Sequence, residues 1–113
     1  ILSDSSNYTS HISLGTVLTK MGRYNEAEEE FKVASFLSAQ KTNPEVNLTY
    51  WRSFIYSHQN KMDEAFEAFE QSIKLGYDDY AWMVVDPDMA LLRAQTVRWN
   101  ALMKKYFPDK VKN

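Results

Sequence analysis

A ten-residue segment occurs twice, and this repetition constrains the fold more than any other feature of the chain. Gly22-Arg23-Tyr24-Asn25-Glu26-Ala27-Glu28-Glu29-Glu30-Phe31 is matched, 38 residues later, by Asn60-Lys61-Met62-Asp63-Glu64-Ala65-Phe66-Glu67-Ala68-Phe69. Both copies read as a turn, a helix cap at Asn25 or Asp63, Glu-Ala, and an aromatic four residues beyond the Ala. Asn and Asp suit the cap because their side-chain oxygen accepts an unpaired N–H of the first turn. Glu28, three residues after Asn25, comes close to a capping box.

Helical periods flank each copy. Ile12, Leu14, Val17, Leu18 and Met21 precede the first, with Gly15 among them; Tyr50, Trp51, Phe54, Ile55 and Tyr56 precede the second. Ala27, Phe31, Ala34 and Leu37 follow the first turn, and Ala65, Phe69, Ile73 and Leu75 follow the second. Apolar spacings of three and four predict buried helix stripes. Asn43-Pro44 reads as a cap followed by a first-turn proline, and Gly76 as a helix stop. With only three Gly and three Pro, the chain lacks the punctuation that many short strands require. An all-α fold follows.

These units resemble the tetratricopeptide repeat, a helix–turn–helix of 34 residues. Leu14-Gly15, Gly22, Tyr24, Ala27, Phe31 and Ala34 fall on its signature positions. The second copy keeps Tyr56, Ala65, Phe69 and Leu75, but has Arg52-Ser53 for Leu-Gly and Ser72 for an Ala. Arg52 at a nominal core position predicts a locally rotated or shifted helix. The four residues beyond the family period fall in 38–43, as extra helix or a longer loop. From Gly76 onward the chain resembles the segment that closes many arrays of this family: Gly76-Tyr77-Asp78-Asp79, Trp82-Met83, Asp86-Pro87-Asp88-Met89, Leu92-Arg93, Trp99 and Leu102-Met103. One residue is inserted before Trp99, and the family's second Asp-Pro is missing. The resemblance implies a right-handed superhelix of antiparallel helix pairs with C-terminal capping helices, and gives the organisation. Residues 1–7 are the end of a preceding repeat or a linker, 8–42 the first repeat, 43–76 the second, 77–107 the closing helices and 108–113 a loose tail. Met89, Leu92, Trp99, Leu102, Met103 and Tyr106 form the stripe that lies on the second repeat, since the last face of an array needs a cover. The chain opens on Ile1 rather than Met, so it reads as a piece of something longer.

Catalysis finds little support. Cys is absent, which removes thiolate metal sites, disulfides and cysteine nucleophiles. His11 and His58 stand on different repeats, and no metalloprotease, phosphate-loop or serine-hydrolase motif occurs. Asp86 and Asp88 are better read as helix-start residues than as metal ligands, and Glu26 to Glu30 as a solvated first turn. No enzyme, cofactor, metal or small-molecule substrate is expected. The formal net charge is −2, against a general nucleic-acid binder. Arg93, Arg98, Lys104, Lys105, Lys110 and Lys112 face only Asp109 in the last stretch. That basic end reads as solvated or partner-facing; RNA contact is the weakest of the readings. No apolar run approaches a membrane span, ~20 residues. Asn7-Tyr8-Thr9 and Asn47-Leu48-Thr49 match the glycosylation pattern without implying secretion. The chain reads as soluble, and intracellular rather than secreted, with the compartment open.

The resemblance implies a protein or peptide partner held on the concave surface formed by the first helix of each repeat. Carried over position by position, the candidate partner-binding residues are Ile12, Thr16, Thr19, Asn47, Tyr50, Trp51, Phe54 and His58. Tyr50, Trp51 and Phe54 stand out as large aromatics near an expected solvent face, although one or two could turn inward beside Arg52; aromatics anchor interfaces. Ile12, Thr16 and Trp51 replace the Lys and Asn with which some members grip a terminal carboxylate. The expected preference is apolar or aromatic. The other reading is a structural cap of a longer array or multidomain regulator, with little binding of its own.

Overall fold

The computed structural model describes residues 4–38 and 43–111, with side chains from residue 8 onward in the first stretch. Within them run α1 (Asp4–Lys20), α2 (Tyr24–Ser38), α3 (Pro44–His58), α4 (Met62–Lys74), α5 (Tyr80–Met83), a 3-10 turn (Pro87–Met89), α6 (Ala90–Arg93) and α7 (Thr96–Tyr106). Among the described residues there is no strand. The fold is all-α and of tetratricopeptide type: α1 and α2 form one hairpin, α3 and α4 a second, and α2 packs on α3. Residues 4–7, read as the end of a preceding unit, open α1. Residues 1–3, 39–42 and 112–113 lie outside the described residues, and so do the readings placed on them.

The hairpin turns are local chemistry. Gly22 has φ +81° and Asn60 φ +60°, so equivalent positions of both repeats take the left-handed conformation that Gly and Asn tolerate. The caps differ from expectation. The helices begin at Tyr24 and Met62, the carbonyls of Arg23 and Lys61 accept from Ala27 and Ala65, and Lys61 makes no side-chain cap bond. Asn25 and Asp63 therefore sit inside the first turn. The tight reversal delivers the backbone to the helix earlier than the side-chain pattern suggests. Asn43 does cap α3, accepting from the Glu45 N–H at 3.0 Å, and Pro44 follows it.

Small residues set the helix spacing. A Cβ on Gly15 would lie 2.8 Å from the Phe31 ring, so only Gly admits that ring at this depth. Phe31 is fully buried, stacked on Trp51 with centroids 5.2 Å apart and edge-on to Phe54 at 6.4 Å. In the second repeat Ser53 takes the place of Gly15; it is fully buried, and its hydroxyl donates to the Tyr50 carbonyl at 2.6 Å. α3 is not turned to hide Arg52. Leu14 is exposed and Arg52 half-buried, its guanidinium bridging Glu28 (3.0 Å) and Glu45 (3.6 Å) on the outer side.

Leu14, Val17 and Met21, read as part of a buried stripe, are exposed (46, 51 and 61%), as is Phe36 of α2. Leu14, Val17 and Met21 recur at spacings of three and four, which puts them on one face of α1. The opposite end is covered. Met89, Leu92, Trp99 and Met103 are buried, and Trp99 stacks on Phe69 of α4 at 5.1 Å. The expected loose tail is partly tied down: the Val111 N–H bonds back to the Phe107 carbonyl, and Val111 packs against the core.

Candidate functional site

The N-terminal halves of α1 and α3 form two sides of a cleft of about 530 Å³. The third side is the closing segment. Gly76, with φ +122°, breaks α4 and turns the chain back across the face of α3. Asp79 then caps α5 by accepting from the Trp82 N–H at 3.2 Å. Asp86 caps the 3-10 turn by accepting from the Asp88 N–H at 2.9 Å. Two further bonds fix this return: the Arg93 guanidinium donates to the carbonyls of Met83 (2.9 Å) and Asp86 (2.7 Å). Capped turns thus place Tyr77, Asp78, Asp79 and Trp82 on the cleft.

The sequence-derived residues divide. Ile12, Asn47, Tyr50 and Trp51 line the cleft. Ile12 and Asn47 are half-buried, and the Asn47 amide donates to the Ser38 hydroxyl at 3.2 Å. Tyr50 and Trp51 are 2% and 9% exposed, so they form its floor rather than free anchors. Tyr50 stacks on Tyr77 with centroids 4.2 Å apart, and its hydroxyl donates to the Asp86 carboxylate at 2.7 Å. Burial, the neighbouring Tyr77 and the Asp86 carboxylate hold its phenol protonated far above the usual range.

Two residues expected on the solvent face are interior. Phe54 is fully buried between Phe31 and His58, and Thr19 is 1% exposed with its hydroxyl on the Gly15 carbonyl at 2.8 Å. Neither can touch a partner without unpacking the core. Phe54 faces inward because α3 is enclosed by α1, α2, α4 and α6, leaving little of its circumference for solvent. Thr16 is half-buried, and its hydroxyl donates to the Ile12 carbonyl. His58 is half-buried, edge-on to Phe54 at 4.8 Å. Burial and the charge of Lys20 hold its imidazole below its ordinary pKa. Thr16 and His58 do not line the cleft.

Sequence reasoning misses more than half the lining. Tyr8, Val46, Tyr77, Asp78, Asp79, Trp82, Asp86 and Asp88 all border the cleft. The signal is present as the Gly-Tyr-Asp-Asp, Trp and Asp-Pro-Asp groups, but closing the stack is a sufficient reason for each of them. Of the basic C-terminal residues, Arg93 holds the closing turn, Arg98 pairs with Asp63 at 2.9 Å, and Lys105 with Glu70 at 3.0 Å.

The model of the tetratricopeptide repeat matches residues 8–34 and 47–76. The chain belongs to the tetratricopeptide repeat family. Each matched stretch falls on one of the two hairpins described above. Among curated proteins the chain is similar to a chloroplastic protein of Arabidopsis thaliana, at 31% identity over 93 residues. That match covers 81% of this chain and 27% of the relative, so the chain spans about a quarter of the relative's length. No solved structure matches. Repeats of this family serve protein–protein interaction, typically without catalysis. Among the described residues no helix is long and apolar enough to cross a membrane.

Proposed function

We propose that this chain is a non-catalytic protein-interaction module whose concave cleft receives an extended peptide or helix of a partner protein. The observation that carries the reading is the cleft itself: about 530 Å³, bordered by the first helix of both repeats and by the closing segment. Its size is that of a ligand cleft, ~300–1,000 Å³. Its aromatic lining supplies large contact area on rigid side chains, the usual source of interface energy. The exposed anchor is Trp82, at 46%, while Tyr50 and Trp51 shape the floor.

A photo-crosslinking amino acid at Val46, on the cleft, should trap a partner from the source lysate. The same group at Val97, 83% exposed on α7, should not. Crosslinks from position 97 and none from position 46 would move the interface off the cleft. Substituting Tyr50 or Phe54 is a poor test, because both are packed in the core.

A second reading draws on the exposed stripe of Leu14, Val17 and Met21 on α1. In it, this unit ends a longer stack whose preceding hairpin covers that stripe. Leu14→Glu in the natural full-length protein should then lower its melting temperature by several degrees, about 1–3 kcal/mol. An unchanged melting temperature would count against this reading.

A further inference from the structure

The closing segment gives the cleft a charge that the two repeats do not. Asp78, Asp79, Asp86 and Asp88 all border it, and no Lys or Arg does so among its lining residues. Two cations lie nearby. Arg93 is bound to backbone carbonyls, and Lys20 approaches Asp88 closely enough to oppose part of its perturbation. Asp86 is already engaged by Tyr50 and by the Asp88 N–H. Asp78 and Asp79 line the cleft and are both exposed, and Asp88 is half-buried.

The carboxylates share the cleft with aromatic rings. Tyr8, Tyr77 and Trp82 stand on the same cleft, with Trp82 presenting nearly half its surface to solvent. Aromatic faces attract cations through the ring quadrupole, most strongly for Trp, and carboxylates add charge-assisted hydrogen bonds. Among the described residues, no three His, Asp or Glu side chains converge at metal-holding distance. The negative charge is spread along a cleft and walled by rings. That arrangement complements a cation on a long apolar stem, which lays its methylenes on aromatic surface and keeps its charge among the carboxylates.

We propose that the cleft selects a basic segment of a partner protein, seating a Lys or Arg side chain against Trp82 and Tyr77 with its charge among Asp78, Asp79 and Asp88. The inference rests on the peptide-binding reading of the same cleft and supplies the partner's chemistry. It departs from the apolar or aromatic preference expected from α1 and α3 alone, because the acidic groups come from the closing segment. Asp88 bears on it independently. Burial and the adjacent Asp86 work against its ionisation, a cost that a bound cation would remove.

The test is selection of a random peptide library displayed on phage against the intact chain. Affinities of the selected peptides are then read by fluorescence polarisation. The binders should be enriched in Lys and Arg. Replacing that residue by Gln should weaken binding tenfold or more. Asp78→Asn/Asp88→Asn should do the same, as should Trp82→Ala, each shown folded by circular dichroism. Raising salt from about 50 to about 300 mM should weaken the basic binders further, since it screens partly exposed charges. Uncharged or acidic binders that lose affinity with Trp82→Ala, yet ignore Asp78→Asn/Asp88→Asn, would overturn the inference and leave the peptide-binding cleft standing. No binders, or binders indifferent to both variants, would overturn both. A dimer of the chain alone that dissociates on Asp78→Asn/Asp88→Asn would put a second copy in the cleft and also overturn the inference.

Discussion

The Tyr50 hydroxyl and the Asp86 carboxylate meet at 2.7 Å across 36 residues of sequence, tying the first helix of the second repeat to the turn that closes the stack. Asp86 is 3% exposed, so its carboxyl oxygens rely on hydrogen-bond donors that the fold supplies. Tyr50→Phe keeps the ring stack on Tyr77 and removes one of those donors. The loss should be about 1.5–3 kcal/mol, as for a buried hydrogen bond to a charged group. Urea denaturation measures it, and a double-mutant cycle with Asp86→Asn isolates the pair. A coupling energy near zero would mean that the bond contributes nothing to stability.

Gly15→Ala sets two effects against each other. Alanine favours the helix over Gly by about 1 kcal/mol. The added methyl meets the Phe31 ring at 2.8 Å, and that ring is held by Trp51 and Phe54. Overpacking of this kind costs about 1–3 kcal/mol, so the variant should be net destabilised, by about 1 kcal/mol. A higher urea midpoint for Gly15→Ala would show that Phe31 can move aside.

Asp88→Asn should stabilise the free chain. The Asp88 carboxyl is held above its ordinary pKa by burial and then by Asp86, partly offset by Lys20. A raised folded value favours the protonated form in the fold. Its contribution is complete below the unfolded pKa and is lost as pH rises through the folded one. At pH 7 the wild type therefore carries a small penalty that Asn removes. The check is the stability difference between Asp88→Asn and wild type, which should grow as pH rises from about 4 to 7. A difference flat in pH would remove electrostatics as its cause.

Glu70 should show the opposite sign. Its carboxylate accepts from the Tyr106 hydroxyl at 2.6 Å and from Lys105 at 3.0 Å, which holds its pKa below the ordinary value. That contribution is present above the unfolded pKa and is lost as pH falls through the folded one. Acid unfolding of Glu70→Gln should be shallower than that of the wild type. Hydrogen exchange in α7 should rise first, because this carboxylate ties α7 to α4. Equal acid profiles would show that the ties are not felt.

Trp99 stacks on Phe69 at 5.1 Å and 11°. Trp99→Ala should cost about 3–5 kcal/mol and expose the α4 face that α7 covers. Amides of α7 should lose protection in hydrogen exchange while those of α1 and α2 keep theirs. Uniform loss across the chain would show that the closing segment and the first hairpin unfold as one unit.

Features written in local chemistry are legible in the sequence. The turns at Gly22 and Asn60, the buried Ala27, Phe31, Ala65 and Phe69, the Asn43 cap and the Asp86-Pro87 start each depend on a few neighbouring residues. The facing of α3 is not. Leu48, Thr49, Tyr50, Trp51, Ser53, Phe54, Ile55 and Ser57 are all buried, so this helix has no single apolar stripe from which a solvent face could be read. Tyr50 is interior because the closing segment covers it, a contact between residues 36 positions apart. The cleft is only partly legible for the same reason. Its helical sides follow from the repeat pattern. Its acidic side follows from a turn whose residues have a sufficient structural role, and nothing in their spacing announces a second one.

The apolar stripe of Leu14, Val17 and Met21 gives the unit a polarity. At the other end, α7 buries Trp99 and Met103, while Val97, Asn100, Ala101 and Lys104 of the same helix are exposed. A further helical hairpin would meet an apolar stripe on α1 and a mixed polar and apolar surface on α7. Burial of apolar surface therefore favours addition of a hairpin beside α1 over addition beside α7.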